Sequence, residues 1–429
     1  MKISLFYIYY IILSISILSG NLFRVGIPFL EERSFPITFI DINSIFLCTI
    51  SFYFMLLKYK NRLVISTPLK FYLLWIFIGV ISLVVNSIFL KLNLKEFLYA
   101  MSYSMRYLSF IIISILLINL KPTLKYKQKS LNIFIYTSFI LSVIGLIQYF
   151  TFSNLTDLWS VLISKGIYIP NPDPHVNRIV STFLDPNFYA SFIVMPIFLA
   201  LDKFVNCRSI RNALILLTVS ISFLLTFSRS GILCIIISFI SIITIISIKK
   251  RNNGKNIKIF IGLFILLIML YLLDIFLFNN YIFNRITQRF SFASTGGLDP
   301  SAEARIFSWE RGIEVFLNHP FMGVGYNNYG NYVKYNYQFY GESTLFGNDS
   351  SLMLILSTTG IIGSLIFLIG YILMIKEHFN MYMKKNKLKS LLFAGYLIGL
   401  FVSSFFNNLL TYPAILCELF ILYPLLRKA

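Results

Sequence analysis

The chain alternates long apolar runs with short polar breaks. Runs of about 18–25 residues, each enough to cross a hydrocarbon core of roughly 30 Å, recur along the whole length. They predict twelve membrane-spanning helices, near residues 3–22, 37–57, 69–90, 97–119, 131–152, 184–201, 210–227, 230–248, 257–278, 349–375, 390–408 and 411–426. The expected fold class is therefore all-α, a polytopic helical membrane protein with residues 1–429 forming one integral membrane domain. The polar breaks are unequal. Two are long, 153–183 and 279–348, and the second is expected to be a large, partly helical loop between the ninth and tenth spans. No tandem repeat is visible.

Composition agrees with the pattern. Hydrophobic residues make up 57% of the chain and charged residues 13%, too little polar surface for a soluble protein of this length. The formal net charge of +20 raises nucleic-acid binding, but the distribution of cations argues against it. Lys and Arg cluster in alternate breaks, Lys58 to Lys70, Lys121 to Lys129, Lys203 to Arg211, Lys249 to Lys258 and Lys376 to Lys389. This is a positive-inside signal, which predicts cytoplasmic termini and puts both long loops outside; no nucleic-acid partner is needed. The first span follows Lys2 as a signal peptide would, but without an A-x-A-like cleavage site, so it is expected to be retained. Cys48, Cys234 and Cys417 fall in predicted spans and Cys207 in a cytoplasmic break, with no disulfide or zinc spacing among them.

The stretch LLTFSRSGILC sets an arginine, Arg229, between two apolar runs. A guanidinium left in hydrocarbon costs at least about 2.5–3.5 kcal/mol and usually faces a partner or a cavity. Arg229 therefore either sits in a turn at the outer surface or meets something negative.

In the large loop, Asp299 and Pro300 read as a helix start and His319-Pro320 as its end. Ile306, Trp309, Ile313 and Phe316 share one arc of that helix, with Glu310, Arg311 and Glu314 opposite. Arg305 lies beside the apolar arc, where it either snorkels along Trp309 or binds an anion. The tyrosines and asparagines that follow, from Tyr326 to Tyr340, suit sugar rings but equally an interfacial belt. Gly323-Val324-Gly325 matches no nucleotide loop and reads as a tight turn after Pro320. Asp185-Pro186-Asn187 reads as a helix start, with Arg178 just before it. Asp349 opens the tenth span, either as a helix cap or as a proton acceptor for a hydroxyl nucleophile. The three histidines and the acidic residues show no metal-ligand spacing, and no G-x-S-x-G elbow occurs.

Four segments taken together, RIVSTFLDPNFYA, LLTFSRSGIL, ARIFSWERGIEVFLNHPFMGVGYNNY and NDSSLMLILSTTGIIG, resemble the bacterial O-antigen ligase and O-antigen polymerase superfamily in order, spacing and placement of the large loop. The resemblance implies a metal-independent, inverting glycosyltransferase without a cofactor, working on the outer face of the cytoplasmic membrane. Its donor would be a glycan on undecaprenyl diphosphate, with Arg229 and Arg305 on the diphosphate. Ligases of this superfamily usually carry a His-Asn pair where this chain has Asn348-Asp349. The departure favours a polysaccharide polymerase, with Asp349 as candidate base, over a ligase. Arg178, Asn187, Arg289, Tyr326 and Asn348 are the expected substrate contacts. Expected partners are the undecaprenyl-diphosphate-linked oligosaccharide, membrane lipid, and a flippase and chain-length regulator of the same pathway. Two other readings stay open. A twelve-span transporter of the major facilitator type would normally carry a long cytoplasmic loop where 202–211 is short. A peptidoglycan glycosyltransferase of the shape, elongation and division type would share the lipid-linked donor, although its motifs are not seen.

Overall fold

A computed structural model of the chain describes residues 4–22, 24–30, 33–58, 63–152, 154–165, 175–249, 300–337 and 348–427, with a few residues between 274 and 287. Its helices are α1 (Leu5–Ser19), α2 (Phe39–Lys58), α3 (Thr67–Phe89), α4 (Leu94–Asn119), α5 (Leu124–Thr151), α6 (Thr156–Ser164), α7 (Pro186–Asn206), α8 (Ile210–Leu224), α9 (Arg229–Ile248), α10 (Pro300–Asn318), α11 (Tyr329–Asn336), α12 (Ser351–Lys385), α13 (Leu388–Ser403) and α14 (Pro413–Leu426). Seven of them are long and apolar enough to cross a membrane, and four shorter apolar helices, α1, α8, α13 and α14, complete the bundle. Together they fall on eleven of the twelve expected spans. The expected span at 257–278 lies almost wholly outside the described residues, as do Asp299 and Tyr340. The protein is all-α in its membrane body. One departure is an antiparallel pair after the first helix, β1 (Arg24–Leu30) and β2 (Arg33–Thr38), with Ile27 opposite Phe35.

The helix starts carry their own signals. Asn93 and Glu96 close a reciprocal capping box at α4, with Glu96 N–H donating to Asn93 Oδ1 at 2.8 Å and Asn93 N–H to Glu96 Oε2 at 3.2 Å. Asp185 caps α7 by accepting from the N–H groups of Asn187 and Phe188, and Pro186 opens the helix, as the sequence predicts. Small residues set the closest helix pair. A Cβ at Gly395 would meet Ile242, and one at Gly399 would strike Ser238 and the Cys234 carbonyl, so α13 packs backbone-close on α9 through a G-x-x-x-G face. One buried charge pair links two helices. Arg106 of α4 makes a bidentate contact with Asp41 of α2 at 2.6 and 2.8 Å, with both side chains 6% exposed. The pair locks two helices together, and removing either partner would leave a buried charge.

The segment between α10 and α11 dives into the bundle and docks on a break in α12. At Gly360, φ is +62° and ψ −169°, so the helical ladder stops there. The carbonyls of Ser357 and Thr358 accept from the N–H groups of Val324 and Gly325 at 3.0 and 2.9 Å, while Ile361 N–H donates to Pro320 O at 2.8 Å. Ser82 and Asn86 of α3 hold the Gly323 carbonyl from the other side. Irregular backbone inside a membrane body needs such internal partners. Gly325, with φ +98°, lies so close to α3 that a Cβ would be 2.5 Å from Leu83 Cα. The expected tight turn at Gly323–Gly325 is thus a docking segment that rivets α3, α10 and α12 together.

Candidate active site at one end of the bundle

Three helices, α7, α9 and α12, begin at the same end. Ser228, the cap of α9, donates from Oγ to Asn187 Oδ1 in the first turn of α7 at 2.7 Å. Gly231 permits this approach, since a Cβ there would stand 2.5 Å from Ala190 Cβ. Ser403 Oγ donates to Ser230 O at 2.9 Å, and Ser351 N–H donates to Ser404 O at 3.0 Å. The end of α13 therefore sits between the starts of α9 and α12. The first N–H groups of the three helices are largely capped by Asp185, Ser228 and Ser350, but each N-terminus keeps the positive end of its dipole, and three together favour anions.

Arginines stand around these ends. Arg229 is the first residue of α9 and is half-buried. Arg178 donates from Nε to Thr226 O at 2.8 Å and from Nη2 to Asn187 Oδ1 at 3.3 Å. It thereby ties the loop before α7 to the turn before α9, and Asn187 is the common acceptor of Arg178 and Ser228. The predicted contacts Arg178 and Asn187 are thus brought together with Arg229. Arg289 lies outside the described residues.

The loops that hold them are strained. His175, Asn177, Ser181, Leu184 and Phe227 all have positive φ, from +40° to +59°. Non-glycine residues in this region cost of order 1–3 kcal/mol each and collect at functional sites. Asn177 immediately precedes Arg178, Leu184 precedes Asp185, and Phe227 lies two residues before Arg229. Arg285, which sequence reasoning passed over, braces the same loops. It donates to the Val176 carbonyl at 2.7 Å and lies 4.6 Å over the Phe227 ring. Its only signal in the sequence is a cation four residues before Arg289.

Asp349 occupies the start of α12 but does not cap it. Ser350 is the cap, accepting from Met353 N–H, so the structural role weighed for Asp349 belongs to its neighbour. The Asp349 backbone N–H donates to Ser308 Oγ at 3.0 Å, one turn along α10 from Arg305. Its carboxylate is exposed yet recessed in the protein. Burial by the surrounding chain raises its pKa above the usual carboxylate value; the nearby Arg305 guanidinium pulls it down and the Asp185 carboxylate adds to the rise. Arg305, Asp185 and Asp349 are therefore electrostatic neighbours.

α10 docks by its face of small residues. Ile306 and Ile313 are 41% and 43% exposed, whereas Ser308, Gly312 and Val315 are buried. The small face wins because Gly312 admits the Asn348 side chain, whose Nδ2 would be 2.7 Å from a Cβ there. Trp309 still anchors the helix, donating from Nε1 to Phe405 O at 2.8 Å. Asn348 is itself 2% exposed, donating to the Ser308 carbonyl and accepting from Ser350 N–H. It is placed as a pin between α10 and α12 and not on the open surface of the site.

Tyr326, expected at the substrate, is 2% exposed and packs edge-on against Trp75 and Tyr107, with ring centroids 4.9 and 6.1 Å away. The docking segment carries it into the core. Tyr329 and Tyr332 are buried as well, while Tyr335 donates to Glu96 at 2.8 Å. Of the described tyrosines, Tyr326, Tyr329 and Tyr332 pack the protein, whereas Tyr335 is 48% exposed. Among the described residues no three of His, Cys, Asp or Glu gather as a metal site would require.

The arrangement offers anion-binding helix ends, three arginines and an accessible carboxylate of raised basicity. Residues 214–368 match the family described as O-antigen ligase. The match covers little more than a third of the chain and shows what this stretch is similar to. The matched stretch holds Arg229, Arg305 and Asp349; Arg178, Asp185 and Asn187 precede it, and the fold brings them to it. No curated protein matches the chain. Together with the apolar helices, the match supports a membrane-embedded, glycan-processing protein of the O-antigen ligase and polymerase type.

Proposed function

We propose that the protein is a polysaccharide polymerase that transfers an undecaprenyl-diphosphate-linked glycan to a hydroxyl of another lipid-linked repeat, on the outer face of the cytoplasmic membrane. The observation that supports this reading is the grouping of Arg229 and Arg178 at converging helix N-termini, with the exposed Asp349 at the start of the third helix and its pKa raised by burial. As the sugar C1–O bond breaks, negative charge grows on the departing diphosphate, and fixed guanidinium groups and helix ends stabilise it beyond the ground state. Guanidinium suits phosphate because it binds bidentately and stays charged away from water. Asp349 takes the proton of the attacking hydroxyl, and attack from the face opposite the diphosphate inverts the anomeric centre. No step calls for a metal. The exposed apolar arc of α10, with Ile306, Ile313 and Leu317, suits the membrane interface where the polyprenyl chain lies.

The family description favours a second reading, a ligase that makes one transfer to a different acceptor. The same chemistry serves both, and the acceptor separates them. Purified full-length protein should convert a polyprenyl-diphosphate-linked repeat into a ladder of lengthening products, and Arg229→Ala should abolish the ladder. A single transfer to a supplied non-lipid acceptor, with no ladder, would establish the ligase; inertness toward lipid-linked sugars would reject both.

A further inference from the structure

The opposite end of the bundle holds a cavity of about 1100 Å³ between the start of α5, the ends of α7 and α14, and the α12–α13 turn. Five cations line it, Lys127, Lys203, Lys387, Lys389 and Arg427, against one lining carboxylate, Asp202. Part of that charge is matched. Lys389 lies 3.8 Å from Asp202, and Arg427 pairs with Glu377 at 2.6 Å. The remaining excess is positive, and Arg427 Nη1 is buried with no hydrogen-bond partner among the described residues. Positive-inside sorting explains lysines at this face but not their convergence on one enclosed hollow. The two other basic breaks of this face, Lys58 to Lys70 and Lys249 to Lys258, contribute no described residue to it.

The cavity is also amphiphilic. Its cations lie around the helix ends, and its wall continues down α5 through Leu124, Leu131 and Ile135, with Leu199 of α7 facing them. The eleven steps of helix from Leu124 to Ile135 descend about 16 Å at 1.5 Å each. Leu124 is 86% exposed at the mouth, whereas Leu131, Ile135 and Leu199 are 5%, 4% and 1% exposed. The deeper residues are packed by the protein, but a soluble anion would use the cations and leave the Leu124 surface at the mouth uncovered. A headgroup with an acyl chain behind it uses both.

We propose that this cavity binds an anionic phospholipid of the cytoplasmic leaflet, its phosphate among Lys127, Lys203 and Lys387 and an acyl chain along α5. Basic pockets between membrane helices on this side suit such headgroups. The proposal is independent of the reaction at the other end. The test is the unfolding midpoint of the purified full-length protein in detergent, with phosphatidylglycerol, phosphatidylcholine or inorganic phosphate added. Phosphatidylglycerol should raise the midpoint by about 3–5 °C more than phosphatidylcholine. Lys127→Gln with Lys387→Gln should lose most of that gain, whereas Lys70→Gln, an exposed cation outside the cavity, should keep it. Equal protection by phosphatidylcholine or by inorganic phosphate overturns the proposal, and so does an equal loss in Lys70→Gln. Should the double variant not fold, native mass spectrometry of the wild type decides: one retained anionic phospholipid supports the site, and none rejects it.

Discussion

Both ends of the bundle gather cations, but they meet the helices differently. At the basic end, Lys203 lies in the last turn of α7 and Lys384 and Lys385 in the last turn of α12. There the negative end of the helix dipole welcomes positive charge, each placement contributing about 0.3–1 kcal/mol. Arg229 occupies the opposite position, the first residue of α9, where the dipole opposes a cation. Five strained non-glycine residues, from His175 to Phe227, surround it at one end, while in the described basic-end segments Lys121 and Asn386 have positive φ. A cation at the unfavourable end of its helix, on strained loops, is placed for anion binding at a cost to helix stability. The basic end reads first as topology, and only its cavity asks for more.

The comparison breaks most sharply at Asp349. Asp349→Asn should abolish polymer formation, since an amide cannot take the proton. Asparagine leaves the Ser350 cap and the Ser308 contact to the backbone intact. Because burial raises this carboxylate's pKa, its ionised form is less favourable in the folded protein than in the unfolded one. That cost is present above the folded pKa and fades as pH falls toward the unfolded value. The variant should therefore unfold at the same temperature as the wild type or higher at neutral pH. Full polymer from it, at normal membrane levels, would remove Asp349 from the chemistry. A lower midpoint would assign it a structural role instead.

A smaller loss is expected at the arginines. Arg229→Lys and Arg305→Lys keep the charge but lose the bidentate fork, and each should lower kcat/KM by about 10²–10³-fold. A matched Lys203→Arg change at the basic end should leave the rate unaltered. Lysine variants with normal rates would make Arg229 and Arg305 topology signals, like the cations opposite.

Much of the fold was legible because membrane spans are written in hydropathy alone. Eleven predicted spans have their helices, and Pro300 and His319-Pro320 bound α10 as read. What escaped depends on neighbours that no local pattern names. α10 docks by Ser308 and Gly312 because Asn348 fits them, so the apolar arc read from periodicity faces outward. Tyr326 looks like a sugar platform in isolation, but Gly79, Gly323, Gly325 and Gly360 let its segment enter the bundle. The repeated glycines of GVG and STTGIIG were the available signal. The site residues Arg178, Asn187, Arg229, Arg305 and Asp349 were recognised singly. Their grouping, and the part of Asp185 in it, comes from three helix ends meeting in space.

The smallest effects are the most discriminating, because they have opposite signs. A general base must be ionised, so kcat/KM should fall on the acid side as pH drops through the Asp349 pKa of the free protein. Burial raises that pKa, which places the acid limb above the range of an ordinary carboxylate. Arg305 lowers it and Asp185 raises it. Arg305→Gln should therefore shift the limb to higher pH, beyond whatever rate it loses through the donor. Asp185→Asn should shift it to lower pH while keeping the α7 cap, since asparagine caps as well as aspartate. A purely structural Asp185 would change the rate at every pH and leave the limb in place. Were the two limbs to move together, or not at all, the neighbourhood of Arg305, Asp185 and Asp349 would not be the proton-accepting centre of the site.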